Sequence, residues 1–358
     1  MGESMTAWMV RAGASGEREQ WALENGYTGA GFGDVESLED CTTREAVVAK
    51  VAAGIPDRST GAVRNFAAQL WALRNRMDVD DLVVMPLKRT SEIAIGTIDG
   101  EYSYLDTPDP QRRHVRKVTW KVTDLARSRV KQDLLYSLGA FSTVCQIQRN
   151  DAEQRLRSCM NGNSDPGARL GAISSIAAPV APMGLALVEA QEEVADAPVD
   201  LARYAADSIA SRLIEAYSGH KMEGLIADLL RSAGYVCTEH GEGTDDGIDI
   251  VAGKGILGLE PPRIIVQVKS QATPVDSPTV SQLHGSLSIH GADQGLLVAW
   301  GGLTRPARKL LDSQRFAIRV WDADEVVAQL QQHYATLPAR VRRELPLKQI
   351  WTLADEAG

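Results

Sequence analysis

Between residues 43 and 77 apolar side chains recur at helical spacing, with Val47, Val48 and Val51 and then Phe66, Leu70 and Leu73 on one face, which predicts two helices. The period then changes. Residues 81–85 and 93–98 are β-branched runs bounded by turn residues, and residues 115–122 alternate charged and apolar positions as a half-exposed strand does. The product expected of this half is a small α+β domain built on a curved sheet.

Further along, residues 201–217 and 220–232 again carry helical spacing. The second of these puts Met222, Leu225, Ile226, Leu229 and Leu230 on one side and is followed by Gly234, a residue suited to closing a helix. Strands are expected at 235–238, 248–251, 264–269, 295–300 and 317–321, with helices near 278–288 and 305–313. That order predicts a mixed sheet covered by helices on both faces, an α/β arrangement. Residues 172–198 shift to Ala, Pro, Val and Ser and end near the acidic run Glu189, Glu192, Glu193 and Asp196, the composition of a connector. The expected division is therefore a first domain at 1–150, a connector at 151–200, a second domain at 201–336 and a tail at 337–358.

A length of 358 residues agrees with two or three domains at roughly 100 to 200 residues each, and 44% apolar with 24% charged residues is ordinary for a soluble globular chain. The longest apolar stretch, 173–188, is broken by Pro179 and Pro182 and is shorter than the roughly 20 residues of a membrane-spanning helix. The start of the chain lacks the basic and apolar segments of a signal peptide, so a cytoplasmic protein without membrane contact is expected. Cys41, Cys145, Cys159 and Cys237 are widely spaced, and no histidine stands at zinc-ligand spacing from any of them. Any metal is then expected on oxygen ligands.

The net charge of -9 excludes a protein that coats nucleic acid by bulk positive charge. The charge is unevenly shared, with 19 Lys/Arg against 20 Asp/Glu in residues 1–150 and 19 against 27 in the remainder. Within the neutral half, Arg112, Arg113, His114, Arg116, Lys117 and Lys121 cluster, followed by Arg127, Arg129 and Lys131. Two readings of that cluster stand side by side: a patch for phosphates, or a solvated face.

The chemistry concentrates after residue 243. Gln267 and Lys269 project from one face of a strand whose other face carries Val266 and Val268. A polar pair in an apolar strand needs partners, since burying an amide unpaired costs roughly 2–7 kcal/mol. Asp249, in the preceding strand, is the nearest candidate. Asp249, the Gln267 side-chain oxygen and the Val268 carbonyl form a donor set suited to Mg²⁺, with Mn²⁺ as a substitute, and Lys269 would stand beside the attacked phosphate.

These residues resemble the Mrr-type restriction endonucleases, a branch of the PD-(D/E)xK nucleases. The resemblance runs over residues 201–333 and rests on Met222-Glu223, Leu229-Leu230, Gly234-Tyr235, Asp245-Asp246-Gly247-Ile248-Asp249, Gln267-Val268-Lys269, Gly295-Leu296-Leu297-Val298 and Val320-Trp321-Asp322. It implies catalysis by Asp249 and Lys269, Gln267 in place of the usual second acidic ligand, and Glu223 assisting from a helix.

The first half resembles, more loosely, the EVE branch of PUA-like domains. The residues concerned are Thr6 through Gly13, Asp80-Asp81-Leu82-Val83-Val84-Met85-Pro86, Ile93-Ala94-Ile95-Gly96, Gly100-Glu101-Tyr102 and His114-Val115-Arg116-Lys117-Val118-Thr119-Trp120. That likeness implies a pocket that takes a base out of the duplex and stacks it on aromatic rings. The candidates for base reading are Trp8, Arg11, Phe32, Tyr102 and Trp120, and for phosphate contact Arg112, Arg113, Arg116 and Lys117.

Joined, the two resemblances imply a metal-dependent endodeoxyribonuclease that restricts modified duplex DNA in defence against foreign DNA. Because one active site cuts one strand, a homodimer or larger homo-oligomer is expected. Two other functions share the same features: a defence nuclease released by a small nucleotide signal, and an inactive nucleic-acid-binding module.

Overall fold

The computed structural model describes residues 6–139, 142–168, 200–240 and 247–351. The connector expected at 172–198, and Asp245 and Asp246, lie outside the described residues. The chain divides into two compact units at Tyr204/Ala205.

The first unit runs β1 (Ala7–Val10), α1 (Glu19–Asn25), β2 (Tyr27–Ala30), α2 (Arg44–Gly54), α3 (Thr60–Trp71), β3 (Leu82–Pro86), β4 (Glu92–Tyr104), β5 (His114–Ala126), α4 (Gln132–Ser137), β6 (Val144–Gln146) and α5 (Ala152–Met160). Its six strands lie in the order β2-β5-β4-β3-β1-β6. Only β1 and β3 pair in parallel; the other neighbours are antiparallel. The long β4–β5 pair shifts register three times, between Ile93 and Ile95, Ile95 and Gly96, and Ile98 and Tyr102. Such irregularities bend and twist a ribbon.

Because successive strand residues point to opposite faces, Trp8, Val10 and Val83 join Val47, Val51 and Leu70 from the helices in one core, whereas Met9, Leu82 and Val84 join Leu134, Leu135 and Leu156 in another. Both faces are thus covered. The expected end of this domain at residue 150 is corrected by α5, whose Leu156 and Cys159 enter the second of those cores. Arg155, 1% exposed, clamps the segment by pairing with Asp165 at 2.7 Å and Asp133 at 2.6 Å.

The second unit follows the expected order closely. It consists of α6 (Leu201–Ala216), which begins at the boundary, α7 (His220–Ser232), β7 (Val236–Glu239), β8 (Ile250–Lys254), β9 (Glu260–Lys269), α8 (Ser277–Ile289), β10 (Gln294–Ala299), α9 (Arg305–Asp312), β11 (Ile318–Trp321), α10 (Ala323–His333) and α11 (Ala339–Glu344). The sheet order is β11-β10-β9-β8-β7. Crossover helices α8 and α9 make β9, β10 and β11 parallel, while short connections leave β7, β8 and β9 antiparallel.

Ile250, Val266, Val268 and Val298 pack with α7 and α10 on one face, and Ile265, Leu297 and Ala299 pack with α8 and α9 on the other. The stretch expected as a tail from residue 337 belongs to the first of these cores. Leu337, Val341 and Leu345 are buried there, and Tyr334 Oη donates to the Leu345 carbonyl at 2.7 Å and accepts from the Leu347 amide at 2.8 Å. An apolar residue every fourth position carried that signal. Among the described residues no helix is long and apolar enough to cross a membrane. The four cysteines are free thiols.

Candidate active site

Pairing between β8 and β9 stops at Ile250 opposite Val266, yet β9 continues to Lys269, held on its other side by β10 through Leu297, Val298 and Ala299. The site forms where β8 runs out. Asp249 stands at that point: its amide donates to the Val266 carbonyl at 2.8 Å, and its Oδ2 accepts from the Val268 amide at 2.6 Å. Since a strand residue sends its N–H and C=O to the same side, the Val268 carbonyl leaves β9 toward Asp249 as well.

Gln267 follows Ile265 on the α8 and α9 face and is 2% exposed. Its Oε1 is buried without a hydrogen-bond partner among the described residues. Gly247 explains how the amide fits. Its φ of 70° lies in the left-handed region, and a Cβ there would stand 2.6 Å from Gln267 Nε2. Lys269, two residues on and half-buried, shares that face.

Glu223 comes from the first turn of α7, and the helix is tied to the strand end by a hydrogen bond from the Gly219 amide to Ser270 Oγ at 3.1 Å. Gly219 adopts φ 59° and ψ -134°, which an L side chain resists. His220 Nδ1 lies 3.0 Å from the Glu223 carboxylate. Burial raises the Asp249 carboxyl above the usual carboxylate range and the Glu223 charge raises it further, while the Val268 N–H, Lys269 and His220 pull the other way.

Asp249 feels the charges of Glu223, Lys269 and His220, while Gln267 lies on the α8 and α9 face against Gly247. Among the described residues no group of three His, Cys, Asp or Glu side chains converges to hold a metal. The fit for a cation rests instead on mixed oxygen donors. The buried Gln267 amide oxygen without a donor, the Asp249 and Glu223 carboxylates and the Val268 carbonyl are oxygen groups of the kind a hard divalent ion takes. His220 and Ser270 escaped the sequence reading, although His220 stands three residues before Glu223 and Ser270 directly follows Lys269. Asp322, part of the quoted motif, caps α10 by accepting from the Glu325 amide at 2.9 Å.

The aromatic residues proposed for base reading belong to one packed cluster, with Trp8 and Tyr102 in it and Phe32 and Trp120 packed against it. Trp8 is 2% exposed, and its Nε1 donates to Asp81 Oδ2 at 2.9 Å, so its ring is core and offers no stacking face. Tyr102 is buried too, with its hydroxyl 2.8 Å from His114 Nδ1 and accepting from the Leu38 amide at 3.3 Å. Phe32 packs on Phe66 with centroids 4.9 Å apart, and Trp120 donates to the Ala22 carbonyl at 3.0 Å. Arg11 lies 3.9 Å from Asp200, and burial lowers its pKa.

The phosphate candidates separate in the same way. Arg116 is 4% exposed and is used up on the carbonyls of Leu73, Arg74 and Gly100, which removes it from the surface. Arg113 reaches the Thr107 carbonyl at 3.5 Å. Arg112 is partly exposed and Lys117 exposed.

With this geometry the second unit takes its class from its fold and its family: residues 214–330 match the family model Mrr_cat, described as a restriction endonuclease. The second unit carries a restriction endonuclease domain. Residues 8–143 match a second model, described as a domain of unknown function, DUF8426. Three solved structures are similar. A protein of unknown function, AF1548, is 15% identical with a TM-score of 0.23, covering 28% of this chain; the chain spans 56% of that protein's length. The DNA modification-dependent restriction endonuclease AspBHI is 14% identical with a TM-score of 0.31, covering 81% of this chain and 74% of its own. The MspJI restriction endonuclease in complex with a 27-mer oligonucleotide is 14% identical with a TM-score of 0.31, covering 95% and 79%. The comparison with curated proteins gives no match.

Proposed function

We propose that this protein is a divalent-metal-dependent endonuclease that cleaves DNA carrying modified bases or a modified backbone and thereby restricts foreign DNA. The observation that carries the reading is the place of Asp249 where β8 ends beside β9, bonded to the Val268 amide and within the electrostatic reach of Glu223 and Lys269. Asp249, Gln267 Oε1 and the Val268 carbonyl would hold the ion, Mg²⁺ or in its place Mn²⁺, which when bound polarises the scissile phosphate and acidifies water.

Hydrolysis joins a water oxygen to phosphorus and breaks the bond to one ester oxygen, which leaves with a proton from solvent. Lys269 offers its ammonium to the charge that grows on the phosphate oxygens. Gln267, neutral where a carboxylate would add charge, leaves Lys269 and the ion less neutralised before DNA arrives. Glu223 adds a second carboxylate from α7, oriented by His220. In this reading the second unit cuts and the first selects. The selection role is supported by the resemblance of its strands to the base-reading PUA-like domains. Each chain holds one such site, so cutting both strands calls for two chains.

The test is incubation with Mg²⁺ and a panel of unmodified, methylated, hydroxymethylated, glucosylated and phosphorothioated DNAs. Cutting confined to one modified class, lost on chelation and in Lys269→Ala, is expected. Equal cutting of every DNA would remove the selective role, and no cutting with Mg²⁺ or Mn²⁺ would remove the nuclease.

A further inference from the structure

We propose that the first unit holds a DNA strand across a partly exposed row of four side chains, Arg112, Trp21, Tyr27 and Lys117. This rests on the reading above that the first unit is the one that meets DNA. It names where that meeting occurs.

The row begins with a turn. Helix α1 ends at Gly26, whose φ of 67° and ψ of 46° reverse the chain directly into β2 while its amide donates to the Ala22 carbonyl. A side chain at Gly26 would also meet the Val118 carbonyl at 3.1 Å, so the turn is specific to glycine. This reversal lays Tyr27, the first residue of β2, on Trp21 of α1. Their rings are parallel within 7°, with centroids 5.5 Å apart. Arg112 then places its guanidinium 5.3 Å from the Trp21 centroid, anchored by an ion pair with Asp109 at 2.7 Å. On the other side, Lys117 stands directly opposite Tyr27 in the β2–β5 pairing and is exposed.

The position favours contact with another molecule. Among the described residues strand β2 is an edge of its sheet. Gly100 is the residue beside Lys117, where a Cβ would be 3.3 Å away, and it leaves the surface low there. Trp21 and Tyr27 are both partly exposed, unlike the buried Trp8 and Tyr102. Two stacked, partly exposed rings flanked by two cations suit a nucleic-acid strand, with the aromatic pair for base contact and the charges for phosphates. Such a surface gives affinity without reading sequence, which leaves discrimination of the modification to other residues of the unit.

The experiment measures binding of the full chain to fluorescein-labelled oligonucleotides by anisotropy, with EDTA present so that nothing is cut, across a salt series. Single-stranded DNA, duplex DNA and RNA of one sequence are compared. Trp21→Leu is expected to weaken DNA binding by roughly 5- to 100-fold. The double variant Arg112→Gln/Lys117→Gln is expected to lower the slope of log affinity against log salt by about one to two. Quenching of tryptophan fluorescence by DNA should diminish in Trp21→Phe, and Lys309→Gln, on the second unit, is expected to bind as wild type. Melting temperatures check that each variant is folded. Folded variants that bind within about two-fold of wild type, at an unchanged salt slope, would overturn the row, as would a marked preference for RNA. Cutting of the modified-DNA panel by the same preparations separates this from the nuclease reading: wild type that cuts selectively while Trp21→Leu binds normally refutes only the row.

Discussion

Asp249 Oδ2 accepts a hydrogen bond from the Val268 amide at 2.6 Å, so one candidate ligand also closes the last link between two strands. The two duties can be separated. Asp249→Asn keeps an oxygen for the Val268 N–H and removes the charge. It is expected to lower cleavage on the order of 10²- to 10³-fold with a melting temperature near wild type. Asp249→Ala leaves the amide without a partner and is expected to cost about 1–3 kcal/mol as well. Parallel cleavage assays and denaturant melts check this, and full activity in Asp249→Asn would count against the site.

The buried Gln267 oxygen gives a second prediction. Gln267→Glu puts a carboxylate into a buried position at the proposed ion site, where burial and Glu223 already raise the Asp249 carboxyl. Without metal the variant should melt below wild type; with Mn²⁺ it should gain more stability and bind the ion more tightly. Calorimetric titration with Mn²⁺ and melts with and without it measure both. Weaker ion binding than wild type would place the ion elsewhere.

His114 supplies a pH dependence in the first unit. It is fully buried between Tyr102 and the Val35 carbonyl, and burial lowers its pKa to about 4 from the ordinary 6.5. Between those values the unfolded chain binds a proton that the folded one excludes. The contribution to stability is therefore intact above about pH 6.5 and lost as pH falls toward 4, up to about 3 kcal/mol. Urea melts from pH 7 to 4 should show a steeper decline in wild type than in His114→Gln.

Arg155 and Asp165 are each 1% exposed at the side chain, and their pairing holds the segment after α5 on the first unit. Asp165→Ala strands a buried guanidinium that Asp133 only partly neutralises. A loss of roughly 3–5 kcal/mol is expected for this unit, read by circular dichroism melts. A loss near zero would show that solvent reaches the arginine.

Trp8→Phe tests the correction to the base-reading set. It removes the bond to Asp81 but keeps an aromatic core residue, so stability should fall by about 1 kcal/mol and DNA affinity should not change. A selective loss of affinity at unchanged stability would return Trp8 to the reader.

The second unit was legible because its signals are local. Helix α7 begins and ends where its apolar spacing does, and the pair Gln267 and Lys269 stood out against Val266 and Val268 within a single strand. Glu223, Asp249 and Lys269 were tied together by the resemblance, and in the structure the Glu223 and Lys269 charges act on the Asp249 carboxyl. The first unit was harder because its decisive contacts are distant in sequence. Arg116 sits in a basic cluster, but the carbonyls it binds at Leu73 and Arg74 are 43 and 42 residues away. Trp8 gave no hint of Asp81, 73 residues on. Strand β1 is buried along its whole length, so it shows no alternation to mark one side as solvent. Trp21 and Tyr27 went unnoticed because neither periodicity nor charge marks a ring pair made by a glycine reversal.

The end of β8 opposite Val266 carries a lesson about length. β9 outruns its neighbour there by a pair of missing rungs, and that gap is where the ion proposed above would sit. Inserting two strand-forming residues just before Asp249 would let the ladder continue and fill the gap with main chain, and in the function proposed above this is expected to abolish cleavage without changing any proposed ligand. At the far end of the same hairpin, where Ile256 and Leu257 are exposed, an insertion of equal size has nothing to fill. Tolerance to length change should therefore differ sharply between the two ends of one strand.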